Sequence, residues 1–125
     1  MQRLNTVALP LRSIIIEAMS FQIMDFSVLC GIRTLDEQKE LVSKGLSRTL
    51  NSRHLPNKNG LSEAVDIAPY PIDWNNHQSF HRLAGIVQAA ASLHDTRLRW
   101  GGDWDGDNDT NDQSFIDLPH FELRK

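Results

Sequence analysis

The chain has one cysteine, Cys30. No internal disulfide can form, and a structural zinc site built from several thiolates is excluded, so the fold must rest on an apolar core or on a metal held by other ligands. Cys30 sits in an apolar stretch, where plain burial is its expected fate. A run of roughly 20 apolar residues is also missing, as is a basic N-terminal segment followed by an uninterrupted apolar one. The expectation is a chain made in the cytoplasm without a leader and without stable membrane insertion. Basic excess is absent too: the formal charge is -3 and the lysines and arginines are scattered, so nucleic acid is not an expected partner. No internal repeat or linker divides the chain.

What is present fits one unit spanning residues 1–125, with 40% apolar and 23% charged residues. Pro10 followed by Leu11, Ile14, Ile15, Ala18 and Met19 predicts a first helix. Phe26, Val28, Cys30 and Ile32 alternate with other residues and predict a strand with one well-buried face. Thr34 and Glu37 have capping-box spacing, which predicts a helix to about Lys44 that stops at Gly45 and leaves Arg33 at the strand-to-helix junction. Residues 47–62 read as a long loop, and a loop of that length in a small domain is usually functional.

Residues 64–68 read as a short buried strand with Asp66 in its middle, closed by Pro69 and Pro71. A buried carboxylate needs a partner. Phe80, Leu83, Ala84, Val87, Ala90 and Ala91 mark a helix ending near His94, and residues 98–100 begin a strand that Gly101 and Gly102 break. Residues 103–112 form an acidic loop before a last apolar strand region, 115–123, interrupted by Pro119. His77, His81 and His94 match no motif and are expected on exposed surface.

Three potential ligands stand in low-polarity settings: His54 in the long loop, Asp66 in the buried strand, and His120 between Pro119 and Phe121. Two imidazoles and a carboxylate suit zinc, and three protein ligands leave a fourth position open, which is the catalytic pattern. Asp117, three residues before His120, is the candidate general base. Zinc lowers the pKa of water from near 16 to roughly 7, and a neighbouring carboxylate can move the proton from water to a leaving nitrogen. Arg33 is then placed to stabilise a developing oxyanion.

The segments Ser52-Arg53-His54, Gly60-Leu61-Ser62-Glu63-Ala64-Val65-Asp66 and Asp117-Leu118-Pro119-His120-Phe121-Glu122 resemble the metal-binding motifs of zinc D-alanyl-D-alanine carboxypeptidases and L-alanyl-D-glutamate endopeptidases. The match is closest to the short phage endolysins. Gly31-Ile32-Arg33-Thr34 with Glu37 and Gln38 also looks like the family segment that carries an active-site arginine, so the resemblance covers nearly the whole chain. It implies an α+β fold, with helices packed on a small, mainly antiparallel sheet as in the Hedgehog signalling domain.

The same resemblance implies His54, Asp66 and His120 as zinc ligands, Asp117 as catalytic acid/base and Arg33 as a substrate or transition-state contact. The implied activity is hydrolysis of the L-alanyl-D-glutamate bond of bacterial peptidoglycan by a monomer acting in the periplasm during host lysis. A D-alanyl-D-alanine carboxypeptidase and a non-catalytic, zinc-containing wall-binding module are the competing readings. The stretch between His54 and Asp66 is longer than is common in the family, and Ser62 stands where glycine is common. Glu63 has no assigned role and is expected on the surface.

Asp103, Asp105, Asp107, Asp109 and Asn111 alternate along the acidic loop, a pattern that would gather oxygen ligands around calcium. It departs from the EF-hand: counted from Asp105, position six is Thr110 instead of glycine and position twelve is Ile116 instead of glutamate. A solvated acidic turn is the alternative. Trp100 and Trp104 flank this loop; core packing is the expected role for both, with contact to substrate as the alternative.

Overall fold

The computed structural model describes residues 3–47, 49–107, 109–111 and 116–124. Along the chain the elements are a short 3-10 turn (Leu4–Thr6), α1 (Leu9–Ser20), β1 (Phe26–Cys30), α2 (Leu35–Ser43), β2 (Ala64–Pro69), α3 (His77–Leu93), β3 (Leu98–Gly101) and β4 (Asp117–Leu123). The four strands form one sheet in the order β1-β2-β4-β3, and every neighbouring pair is antiparallel. This is the expected α+β arrangement of helices on a small antiparallel sheet.

The apolar periodicities explain which faces meet. Leu11, Ile14, Ile15 and Ala18 make the buried stripe of α1, and Phe80, Leu83, Ala84, Val87, Ala90 and Ala91 make that of α3. The two helices pack on each other, and α3 also packs on β2, β3 and β4. Val65 and Ile67 of β2, Leu98 and Trp100 of β3 and Phe121 of β4 join the same cluster. Because strand side chains alternate between faces, Asp66 and His120 fall on the opposite face from these residues.

β1 departs from expectation. It is an edge strand whose five residues are all half-buried, so no single face is well buried, and Cys30 shares that partial exposure. The capping box forms as read: Glu37 N–H donates to Thr34 Oγ1 at 3.1 Å, and Thr34 N–H donates to Glu37 Oε1 at 2.9 Å. α2 then ends at Ser43, with Gly45 taking a positive φ of 73°.

Gly101 does not break β3 but is its last residue, paired with Asp117. The register shifts between Trp100 and Gly101, which gives β4 room for Pro119 within the sheet. Trp100 is in the core as expected, and its Nε1–H donates to Leu118 O at 2.7 Å across that irregular stretch. Phe115, read as the start of the last strand region, lies outside the described residues.

A Cβ at Gly101 would collide with the carbonyl group of Asp117, whereas one at Gly85 in α3 would meet nothing within 4 Å. Gly101→Ala is therefore expected to lower unfolding free energy by about 1–3 kcal/mol. Gly85→Ala should be neutral or stabilising by up to about 1 kcal/mol. Urea denaturation of the two variants checks both, and equal effects would show that the contact with Asp117 is not a constraint.

Candidate functional site

Strand register assembles the site. Cys30 on β1 pairs with Asp66 on β2, and Asp66 pairs with His120 on β4, so three titratable side chains form one row across three strands. The loop 47–62 adds the fourth. It is ordered from both ends: Gln38, fully buried in α2, donates from Nε2 to Thr49 O at 2.6 Å and to Ser47 Oγ at 2.8 Å, while Glu63 N–H donates to Arg53 O at 3.0 Å. Within it the Asn57 side chain accepts from Asn59 and Leu61 N–H, and Gly60 turns with a φ of 76°. His54 is thereby held 2% exposed.

Both histidines converge on one oxygen. His54 Nε2 and His120 Nδ1 each lie 3.2 Å from Asp66 Oδ1. The other nitrogen of each ring is committed elsewhere: His54 Nδ1 lies 2.7 Å from Gly31 O, and His120 Nε2 lies 2.8 Å from Glu122 Oε1. A carbonyl and a carboxylate accept, so each of those outer nitrogens is the donor. Without a metal the inner nitrogens carry protons and donate to Asp66; when those protons leave, the same nitrogens would present lone pairs to a cation, and the outer partners keep the rings oriented for it. By type, two imidazole nitrogens and a carboxylate oxygen suit a metal; by position His54 groups with Cys30 and Asp66, and His120 with Asp66 and Asp117, so Asp66 is the member common to both groups.

Asp117 joins them. One ligand atom from each of Asp66, Asp117 and His120 lies within 4.8 Å of the others, and the same holds for Cys30, His54 and Asp66. Arg33 donates from Nη1 to Gln38 Oε1 at 2.8 Å and brings Nη2 to 3.7 Å from Asp66 Oδ2. All the expected site residues, His54, Asp66, His120, Asp117 and Arg33, line a single cleft of about 550 Å³.

Charge follows this geometry. Burial disfavours ionisation of Asp66, but hydrogen bonds from His120 and His54 outweigh it and hold the carboxyl well below the usual range. Burial likewise opposes a charged His54, yet the bond to Asp66 and the neighbouring Cys30 push it up to about 10. His120 is raised too, with burial overcome by its bonds to Asp66 and Glu122. Asp117 moves the other way from Asp66: burial and then the negative charge of Asp66 raise it above its ordinary value. A carboxyl poised in that way suits proton transfer.

Three residues at the site escaped the sequence reading. Glu122 fixes the His120 ring, and its position two residues further along a strand, hence on the same face, was the signal for it. Gln38 supports both Arg33 and the loop. Cys30 places Sγ 3.9 Å from His54 Nδ1 and 3.6 Å from Arg33 Nη2. Trp104 is half-buried instead of in the core, its ring 5.3 Å from that of His120 at the cleft. Glu63 is half-buried, not on the surface, and pairs with Arg53 at 3.3 Å. Ser62 is fully buried, with its hydroxyl donating to Ala64 O at 2.6 Å. His77, His81 and His94 are exposed, as expected.

The acidic loop is adjacent. Asp103, Asp105 and Asp107 bring one carboxylate oxygen each to within 4.8 Å of the others. Asp109 and Asn111 continue the spiral, with Asp109 N–H donating to Asp107 Oδ1 at 2.8 Å and Asn111 N–H to Asp109 Oδ1 at 2.9 Å. Asp112 lies outside the described residues.

Two imidazoles and a carboxylate meeting in an open cleft, with a second carboxyl and a guanidinium beside them, have the composition of a hydrolytic centre. Residues 1–124 match the family model described as phage L-alanyl-D-glutamate peptidase, and the chain belongs to that family. As a member it is a peptidase. It is 28% identical to the L-alanyl-D-glutamate peptidase of Escherichia phage T5, over 98% of this chain and 92% of that one. It is 32% identical to the L-alanyl-D-glutamate peptidase of Listeria phage A118 over 74% of this chain but only 28% of that longer protein. The solved Serratia marcescens L-Ala D-Glu endopeptidase ChiX superposes with a TM-score of 0.78 at 31% identity, covering 98% of this chain and 84% of ChiX.

The pKa directions give a signed expectation for metal-free protein. A raised imidazole stabilises the fold fully below its unfolded value of 6.5 and loses that contribution as pH climbs toward about 10. A depressed carboxyl stabilises above its unfolded value of 3.8 and loses that contribution as pH falls. In chelator, the stability advantage of wild type over His54→Gln should therefore be greatest between these values and shrink above pH 6.5. Denaturation across the pH range checks this, and an advantage that grew toward alkaline pH would contradict the ion pair.

Proposed function

We propose that this chain is a zinc-dependent endopeptidase that hydrolyses the L-alanyl-D-glutamate bond in bacterial peptidoglycan, serving a phage as its endolysin. The observation that carries the reading is the convergence of His54 Nε2 and His120 Nδ1 on Asp66 Oδ1, with the outer nitrogen of each ring already committed. His54, Asp66 and His120 would hold the metal. Zinc, when bound there, supplies Lewis acidity for attack of water on an amide carbonyl. The family membership supports the bond and the substrate class.

The chain's own residues supply the rest. Asp117, its carboxyl raised by burial and by Asp66, takes the proton of the attacking water and returns it to the leaving nitrogen. Arg33, steadied by Gln38, directs its guanidinium at the oxygen on which negative charge develops. Glu122 and Gly31 O keep the two imidazoles in the required tautomers. The protein acts as a monomer on the wall in the periplasm, as one catalytic domain. The gathering of Asp103, Asp105 and Asp107 supports calcium binding by the loop that also holds Asp109 and Asn111 and leads toward Asp117.

Purified peptidoglycan digested with and without a zinc chelator is the direct test. Chelator-sensitive release of the stem between L-alanine and D-glutamate is expected in the mass spectrum; loss of a single alanine would instead indicate a carboxypeptidase. Asp117→Ala should slow hydrolysis by about 10²–10⁴-fold while zinc content stays near wild type. Full activity in that variant would remove the mechanism, and an inert wild type with bound zinc would favour a wall-binding module. Calcium should raise the melting temperature and the lysis rate; if it changes neither, the acidic loop is a solvated turn.

A further inference from the structure

Three arginines line the cleft, and they differ in how firmly they are held. Arg33 is engaged by Gln38 and Cys30 and faces Asp66. Arg53 pairs with Glu63 at 3.3 Å and with Glu122 at 3.8 Å. Arg99, on β3, has a single ion pair among the described residues, from Nη1 to Glu122 Oε2 at 3.9 Å. That oxygen also faces Arg53, and the other Glu122 oxygen accepts from His120. Arg99 Nε is buried and has no hydrogen-bond partner among the described residues.

A guanidinium offers five N–H donors in a planar fork whose natural complement is a carboxylate. The Arg99 side chain is 42% exposed on the cleft wall, and among the described residues its guanidinium has only that one long, shared ion pair, so its outer N–H groups are open to an acceptor that arrives with the substrate. The acceptor also has to be an anion held away from the reaction centre, because Asp66 and Asp117 already occupy that centre and Glu122 is committed to His120. The proposed substrate supplies one. A D-glutamate residue has two carboxyl groups while its nitrogen lies in the scissile amide; when one carboxyl carries the peptide onward, the other is free a few bonds from the leaving nitrogen.

We infer that Arg99 binds this free carboxylate of D-glutamate, and that the enzyme therefore prefers peptides carrying the acid over those carrying the amide at that position. The inference rests on the peptidase reading above. Arg99 is a specificity residue on the leaving-group side of the bond, and it works beside Arg33 without sharing its task. A guanidinium that meets Glu122 and not the two histidines contributes to substrate affinity more than to the chemical step.

The test compares two muropeptides that differ only in whether that carboxylate is free or amidated. Both are hydrolysed by zinc-loaded wild type, Arg99→Gln and Arg99→Lys, with circular dichroism to confirm folding. Wild type is expected to favour the acid by about tenfold in kcat/KM, chiefly through KM. Arg99→Gln should bring the ratio close to one, and Arg99→Lys should restore part of it, because a lysine keeps the charge but not the fork. Calorimetry with the D-glutamate-terminated cleavage product reads the same contact without turnover, and about tenfold weaker binding is expected in Arg99→Gln.

A wild type indifferent to amidation, or an Arg99→Gln variant that keeps the wild-type ratio, would overturn the inference. Should Arg99→Gln fail to fold, Arg99→Lys decides the matter: a reduced acid-to-amide ratio supports the inference, and an unchanged wild-type ratio overturns it. Hydrolysis of neither peptide by wild type is a different outcome: it would overturn the peptidase reading, and the inference with it.

Discussion

The architecture of the reactive cleft depends on one buried charge, the carboxylate of Asp66 in the middle of β2. Removing a carboxylate from water is costly unless it is paired and hydrogen-bonded, and here every neighbouring element contributes to the pairing. The loop 47–62 brings His54, β4 brings His120, and the junction between β1 and α2 brings Arg33. Sheet pairing and loop hydrogen bonds bring these segments together, and the charge gives their polar side chains a common target. Conversely, a divalent cation in the same place would take over from the two imidazolium protons, so the site is built around a demand for positive charge that either protons or a metal can meet.

That demand is compatible with a small fold because the sheet divides its labour by face. Val65, Ile67 and Phe121 anchor β2 and β4 to the helices, which fixes Asp66 and His120 between them on the other side. Two glycines allow the backbone to approach closely where the polar face is assembled. At Gly31 a side chain would collide with Thr6 and with the carbonyl of Arg3, and the carbonyl of Gly31 is the acceptor for His54. At Gly101 it would collide with the carbonyl of Asp117. The chemistry is therefore positioned by backbone contacts at least as much as by side-chain packing.

Much of this was legible in the sequence, for identifiable reasons. Helical stripes and the Thr34–Glu37 box are local signals, and α1, α2 and α3 form where those signals put them. Asp66, His54 and His120 stood out because polar residues in apolar surroundings require an explanation, and the family resemblance supplied the order in which they come. What stayed hidden depends on pairing between distant segments. Cys30 belongs to the site only because β1 pairs with β2 in the register that puts it opposite Asp66. β1 lacks a well-buried face because it lies at the sheet edge, and alternation alone does not distinguish edge from centre. Glu63 was misjudged because the extended loop folds back over it.

Cys30 also clarifies why the cleft has the composition of a reactive centre and not of a closed one. Its sulfur is near enough to His54 to be grouped with it, and a thiolate as fourth ligand is the mark of a structural zinc site. Yet the sulfur approaches the Nδ1 edge of the ring, at 3.9 Å, while Asp66 meets the Nε2 edge. A sulfur ligand sharing a metal with His54 Nδ1 would have to break the 2.7 Å bond to Gly31 O that sets the tautomer. The two edges of one imidazole thus separate the thiol from the side of the ring where His120 and Asp117 gather. The carbonyl of Gly31 keeps His54 turned toward Asp66, and it leaves the open side of the site to water and substrate.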